Sequence, residues 1–133
     1  MFLSALDDLE KTAFLALADA VIQADYHLAP QEETMLSAMR AEMGLPELAE
    51  VPEMDIRTAA SVIDSRRSRV AVMLELAGLA YSDGEVHAEE EILLSRIGAE
   101  FGFTDDELLA QREWVMRQLA LASEAKVMMM EGA

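Results

Sequence analysis

The order of apolar and polar residues along the chain predicts helices and no strands. Two stretches, roughly 4–24 and 65–82, contain the segments FLALADAVI and VAVMLELAGLAY, which are apolar on almost every side of a helix. A helix of that kind belongs in the middle of a bundle, because none of its faces suits water. The pattern therefore predicts two central helices.

Each central helix is followed by an amphipathic helix that ends at a glycine. These second helices are expected over roughly 30–43 and 88–101. Pro30 suits a first helical turn, and Gly44 and Gly102 suit the position just past a helix end. The chain thus contains two units, each made of a central helix, a short joint and an amphipathic helix.

Two more helices are expected outside these units. One runs from about 54 to 64, between the two units. Thr104 followed by Glu107 is a capping-box pattern, and it predicts a last helix over about 105–123. The tail, 124–133, is expected to be frayed.

The two units are copies of one another. DYHLAPQEETMLSAMRAEMGL (25–45) aligns with DGEVHAEEEILLSRIGAEFGF (83–103) at an offset of 58 positions, with eight identical residues. A repeat of this length indicates one supersecondary unit used twice. We predict a single all-α domain over 1–133, a bundle of about six to seven helices with an internal two-fold pseudo-repeat. Its halves are about 4–45 and 65–103.

Composition narrows the classes of function. The net charge of −16 argues against nucleic acid as a partner, because Lys and Arg bind a phosphate backbone and acidic surfaces repel it. Cations and basic protein surfaces remain as natural partners, although an acidic surface also serves solubility alone. The chain contains no cysteine, no glycine-rich phosphate loop and no His-Glu-x-x-His motif, so we expect no enzyme.

The expected cellular compartment is based on two missing features, a secretory signal and a membrane-spanning segment. MFLSALDDLEK has no positive start of a secretory signal, and no apolar run approaches the length of a membrane span. The chain is therefore expected to be cytoplasmic and not an integral membrane protein. An unknown protein partner is expected, and the sequence leaves the oligomeric state open.

The joints between the paired helices carry the candidate chemistry. At about 100° per residue, Glu32 falls near the centre of the apolar stripe of its helix, and Glu90 falls in the same place in the other copy. A carboxylate aimed at a core must be paired, hydrogen-bonded or protonated. Asp25 and Asp83 each precede the core-facing glutamate by seven residues, and a cation between such carboxylates would remove their repulsion.

The two histidines of the chain, His27 and His87, lie in the same joints. Oxygen ligands suit Ca²⁺, Mg²⁺ or Mn²⁺, and a histidine adds Zn²⁺ to the candidates. The alternative interpretation needs no metal, because acidic residues in a first helical turn are favoured by the helix dipole. Glu90 could also accept a hydrogen bond from a backbone N–H of its own joint.

One further acidic residue lies inside the second central helix. Glu75 either lines a buried polar site or pairs with a basic residue of the same helix, and pairing is the preferred interpretation. The candidate partners are Arg66, Arg67 and Arg69.

The joints resemble those of a known family. AYSDGEVHAEEEILLSRIGAEFGF, preceded by the related ADYHLAPQEETMLSAMRAEMGL, is similar to the TerB-like domain of bacterial tellurite-resistance proteins, also found at the N-terminus of DjlA-type co-chaperones. The likeness covers roughly residues 5–123. Its motif residues are Asp83, Gly84, Val86, Glu90, Gly102 and Phe103.

The resemblance implies a function and a set of site residues. It implies a bundle of about seven helices and an acidic patch that binds or senses divalent metal ions. It also implies a role in the bacterial tellurite or stress response, with partners near the inner face of the membrane. The metal ligands carried over are Asp25, Glu32, Glu33, Asp83, Glu85, Glu90 and Glu91. His27 and His87 are additional candidates because they lie in the same joints.

The first copy departs from the family motif. Tyr26 stands where glycine is expected, and Gln31 stands where the second copy has Glu89. This departure argues against a complete site built from both joints. A protein-interaction domain with purely structural joints remains the alternative function.

Overall fold

The computed structural model describes residues 1–24, 30–45, 53–85 and 87–131, and all regular structure in these ranges is helical. This confirms the all-α class. Within the described ranges, a short 3-10 turn, Leu3–Ala5, precedes six α-helices. The helices are α1 (Asp8–Gln23), α2 (Pro30–Glu42), α3 (Ile56–Val62), α4 (Arg66–Ala80), α5 (Ala88–Glu100) and α6 (Asp105–Met130).

Side-chain caps fix where several helices begin. The Asp7 carboxylate accepts the backbone N–H of Glu10 at 2.8 Å, and the Glu10 carboxylate accepts the backbone N–H of Asp7 at 3.0 Å. This reciprocal cap explains why α1 begins at Asp8 rather than near Ser4 as predicted. Thr104 and Glu107 form the predicted capping box, and α6 begins directly after Thr104.

Two helices differ in length from the sequence prediction. The Asp55 side chain caps the start of α3 and Ile63 is already extended, so that helix is shorter than the expected 54–64. The last helix was expected to end at Ser123 with a frayed tail behind it, but α6 continues to Met130. The segment that follows Ser123 is built from good helix formers such as Ala, Glu, Lys and Met, and it contains no Gly or Pro before Gly132.

The amphipathic helices α2 and α5 end in the same way. Gly44 and Gly102 have φ angles of 71° and 84°, a left-handed conformation that glycine adopts without strain. Beyond them, the N–H of Leu45 bonds the carbonyl of Arg40 at 2.9 Å, and Phe103 does the same to Gly98 at 3.0 Å. Both helices also have 13 residues. The two-fold pseudo-repeat of the whole domain stays a prediction.

The core lies around α1 and α4, the two helices predicted to be central. Helix α1 packs against α3, α4 and α5, while α4 packs against α1, α2, α5 and α6. Phe14 and Leu17 of α1 are fully buried with Leu76 and Leu79 of α4 and Ile97 of α5. Burying such side chains supplies the main driving force for the fold.

Glu75 binds the first residues of the chain and does not pair with an arginine. Its carboxylate accepts the backbone N–H of Phe2 at 2.8 Å and lies 3.0 Å from the ammonium group of Met1. Glu42 of α2 accepts the N–H of Leu3 at 2.6 Å. Pairing with Arg66, Arg67 or Arg69 was the wrong prediction, because those residues lie in the first turn of α4, more than one helical turn from Glu75.

Candidate metal centre

The joint between α4 and α5 is shaped by a buried tyrosine and a glycine. Tyr81 caps the end of α4 and is buried. The N–H of Gly84 bonds the carbonyl of Tyr81 at 3.0 Å, and Gly84 has a φ angle of 82°. Asp83 lies in this tight turn, and its side chain is close to His87, the residue directly before α5.

Three metal-ligating side chains come together in this joint. One oxygen each of Asp83 and Glu85 and one ring nitrogen of His87 lie within 4.8 Å of one another. His87 Nε2 is 2.9 Å from Asp83 Oδ2 and 4.0 Å from Glu85 Oε2. No second group of three such donors is this close in the ranges 1–24, 30–45, 53–85 and 87–131. The arrangement can offer two carboxylate oxygens and one imidazole nitrogen to a cation.

Asp83 is fixed in place by its neighbours. Its Oδ1 accepts the backbone N–H of Glu85 at 3.0 Å, while its Oδ2 is hydrogen-bonded to His87. Burial alone would raise the pKa of Asp83, but the hydrogen bonds from His87 and Glu85 outweigh it and hold the pKa below its ordinary value. The side chain therefore stays a carboxylate, the form that binds metal.

The core-facing glutamates are buried as predicted. Glu32 of α2 is 1% exposed, and Glu90 of α5 is 0% exposed. Both lie in the first turn of their helices. Glu90 lies near Tyr81, whose pKa is raised above its ordinary value, mainly by burial. The positive charge of Arg112 opposes this rise, whereas the negative charges of Glu91 and Glu90 add to it. The predicted inward direction of both carboxylates is confirmed.

The other sequence-predicted ligands are placed elsewhere or are not described. Glu91 forms an ion pair with Arg112 of α6, and Glu33 is exposed on α2. Asp25 and His27 lie outside the described residues. Among the predicted ligands that the structure describes, three are brought together, and all of them come from the second joint.

Arg112 is a residue that sequence reasoning missed. Besides binding Glu91, its guanidinium carbon lies 5.8 Å from the centre of the Tyr81 ring. It connects α6 to the joint at the end of α4. No local pattern could have shown this, because the three residues lie in separate elements that only the tertiary fold brings together.

Acid is expected to destabilise the joint through Asp83. The folded pKa of this group lies below its unfolded value, so its contribution is present above the unfolded pKa and is lost as the pH falls through the folded pKa. In urea unfolding at pH values from about 6 down to about 3, Asp83→Asn should lose less stability than the wild type, because it lacks this group. Glu85→Gln, at an exposed carboxylate, should match the wild type. Equal acid sensitivity of the wild type and Asp83→Asn would contradict this role.

The fold and the joint define a class of protein: a small, strongly acidic all-helical domain with a candidate cation site between two helices. The model of one protein family, described as tellurite resistance protein TerB, matches residues 45–113. This range is more than half of the 133-residue chain and includes the second joint. The chain belongs to the TerB family. No curated protein and no solved structure matches it.

Among the described residues, none of the helices combines the length and the apolar character required to cross a bilayer.

Proposed function

We propose that this chain is a non-catalytic module of the TerB family that binds a divalent cation at the joint between α4 and α5. The observation that carries the proposal is the convergence of Asp83, Glu85 and His87 within 4.8 Å. Asp83 and His87 are partly buried and Glu85 is exposed, so a cation can enter from the Glu85 side.

The donor set favours some metals over others. Two carboxylate oxygens and one imidazole nitrogen suit Zn²⁺ or Mn²⁺, since Zn²⁺ commonly takes three protein ligands and one water. Ca²⁺ prefers six to eight oxygen ligands, and Mg²⁺ keeps most of its waters. We therefore rank Zn²⁺ and Mn²⁺ above Ca²⁺ and Mg²⁺.

Binding is expected to replace the bond between His87 and Asp83. His87 Nε2, now hydrogen-bonded to Asp83, would instead donate its lone pair to the cation. A ring nitrogen must be free of its proton to bind metal, so affinity should fall in acid. The N–H of Glu85 keeps Asp83 oriented in either state.

The family suggests where this binding is used. A module of this kind would act in the cytoplasmic tellurite or stress response, with protein partners at the inner face of the membrane. The acidic surface suits a cation or a basic partner surface and repels nucleic acid.

Calorimetric titration of chelated protein with Zn²⁺ and Mn²⁺ tests the site. Asp83→Asn and His87→Ala should each weaken binding by at least about tenfold, because each removes a ligand. Glu89→Gln is the matched control: it removes one carboxylate from the exposed first turn of α5, outside the cluster, and should bind like the wild type. Equal affinities of all four proteins would contradict the proposal.

A second function is favoured by the hydrogen bonds inside the joint. Because Asp83 already bonds Glu85 and His87, the joint can hold the two helices together without a metal, in a domain that only binds other proteins. Melting temperatures separate the two functions, because a cation at about 100 times its Kd stabilises the native state by about 2.7 kcal/mol. An unchanged melting temperature with every divalent ion would favour the interaction domain.

A further inference from the structure

Helix α6 carries a second feature, a stripe of mostly apolar residues on its exposed side. The stripe consists of Leu109, Met116, Ala120, Ser123, Val127 and Met130. Together with Glu113 these positions are separated alternately by four and three residues. This is the 3.5-residue spacing of a coiled-coil seam. We call these seven positions the α6 seam.

The seam faces solvent along its whole length. Leu109 is 52% exposed, Val127 is 50% exposed and Met130 is 76% exposed, and the other seam positions are exposed as well. Every residue from 120 to 131 is exposed. A helix segment of this length is marginal in water by itself, because most helical stability comes from tertiary packing. The segment would therefore gain stability from a partner.

The charge of this part of α6 differs from that of the rest of the chain. Between 109 and 131 there are three basic and three acidic residues, so the segment is neutral. The remaining residues hold seven of the ten basic and 23 of the 26 acidic residues, and therefore the whole net charge of −16. Two copies of the chain repel one another least along this helix.

The charges beside the seam specify how two copies would pair. In an antiparallel pair that places Met116 opposite Val127, Arg117 of one copy lies beside Glu124 of the other, and the contact occurs twice by symmetry. A parallel pair would gain one contact of opposite charges, Lys126 beside Glu131, but it would place Arg112 beside Arg117 and Glu113 opposite Glu113 of the other copy. Opposite charges favour the antiparallel arrangement, and like charges disfavour the parallel one.

We propose that two copies of this chain associate through an antiparallel pairing of their α6 seams. Glu113 and Ser123 interrupt the apolar surface, so the association is weak and depends on protein concentration. It does not rest on the cation site, because Asp83, Glu85 and His87 are not part of the α6 seam.

Sedimentation equilibrium of the chelated full chain, from about 1 μM to about 1 mM, tests the proposal. A monomer–dimer equilibrium is expected. Val127→Glu should weaken dimerisation by roughly tenfold or more, because it buries a charge in the seam. Leu121→Glu is the matched control, since it also replaces an exposed aliphatic side chain with glutamate, but off the seam, and it should leave dimerisation unchanged. Circular dichroism checks that both variants remain folded.

Charge reversal tests the register. Arg117→Glu and Glu124→Arg should each weaken dimerisation by roughly tenfold, and the double variant should restore it, because the two charges meet across the pair. A monomer at every concentration would overturn the proposal, as would equal effects of Val127→Glu and Leu121→Glu or a double variant without recovery. Monomers that bind neutral phosphatidylcholine vesicles through Val127 would assign the seam to a lipid surface and also overturn it.

Discussion

Replacing Arg69 with methionine is expected to lower the free energy of unfolding by about 2 to 4 kcal/mol. Arg69 lies in the first turn of α4, where its Nε donates to the carbonyl of Ile63 at 2.6 Å and its Nη1 donates to the carbonyl of Phe101 at 3.2 Å. The guanidinium carbon also lies 5.5 Å from the centre of the Phe101 ring. One side chain thus ties together the ends of α3 and α5, and methionine would leave both carbonyls without this donor.

Arg67→Met is the matched control for that experiment. Arg67 is an exposed neighbour in the same turn of α4, so its loss removes the same charge from the same helix end. A change within about 0.5 kcal/mol is expected, as for most surface substitutions. Urea unfolding of the two variants measures the difference. If both variants lose the same stability, the loss is due to the removed charge and not to the two hydrogen bonds that Arg69 donates to carbonyl groups. That result would contradict the proposed role of Arg69.

Replacing Gly98 with valine is expected to destabilise the protein by about 3 kcal/mol, through overpacking between α5 and α6. A Cβ atom at Gly98 would lie 2.5 Å from Leu108 Cδ2, 2.8 Å from Cδ1 and 3.2 Å from Cγ. The whole end of the Leu108 side chain would have to move. The smaller Gly98→Ala should cost about 1 kcal/mol, because its better helix propensity offsets part of the clash.

Gly78 provides the control, because it also lies within a helix but a Cβ atom there meets nothing within 4 Å. Gly78→Ala should therefore stabilise the protein by about 0.5 to 1 kcal/mol. The two alanine variants should change the midpoint of thermal unfolding in opposite directions. Shifts in the same direction would show that α5 and α6 do not approach as closely as the structure indicates.

The direction of the buried carboxylates could be predicted from the sequence. Helical geometry alone placed Glu32 and Glu90 on the apolar stripes of α2 and α5, and both are buried. The capping box of Thr104 and Glu107 could also be predicted, since it depends on two residues that are three positions apart. These features are local, and local spacing is what a single sequence shows.

Contacts between distant elements could not be predicted. The sequence offered Arg69 as a partner for Glu75, yet its donors reach two carbonyls instead. Glu91 was assigned as a metal ligand through the family resemblance, and in the structure it pairs with Arg112. In each case the partner depends on how helices pack against one another, which no spacing along the chain encodes.

The cluster of metal-binding side chains in the second joint could be predicted only in part from the sequence. Asp83, Glu85 and His87 were all candidates, but the sequence did not distinguish them from Glu90, which lies one turn further on. The turn at Gly84 decides the outcome, since it folds the chain back so that His87 reaches Asp83. Glu90 is instead directed into the core, beside Tyr81.

The position of a bound ion tests the central claim most directly. Crystals grown from chelated protein with added Mn²⁺ should give an anomalous difference peak at the manganese absorption edge, beside Asp83, Glu85 and His87. Mn–O and Mn–N distances of about 2.1 to 2.3 Å would identify these side chains as ligands. A peak at another place, or no peak in crystals whose joint is open to solvent, would contradict the assignment of the α4–α5 joint as a cation site.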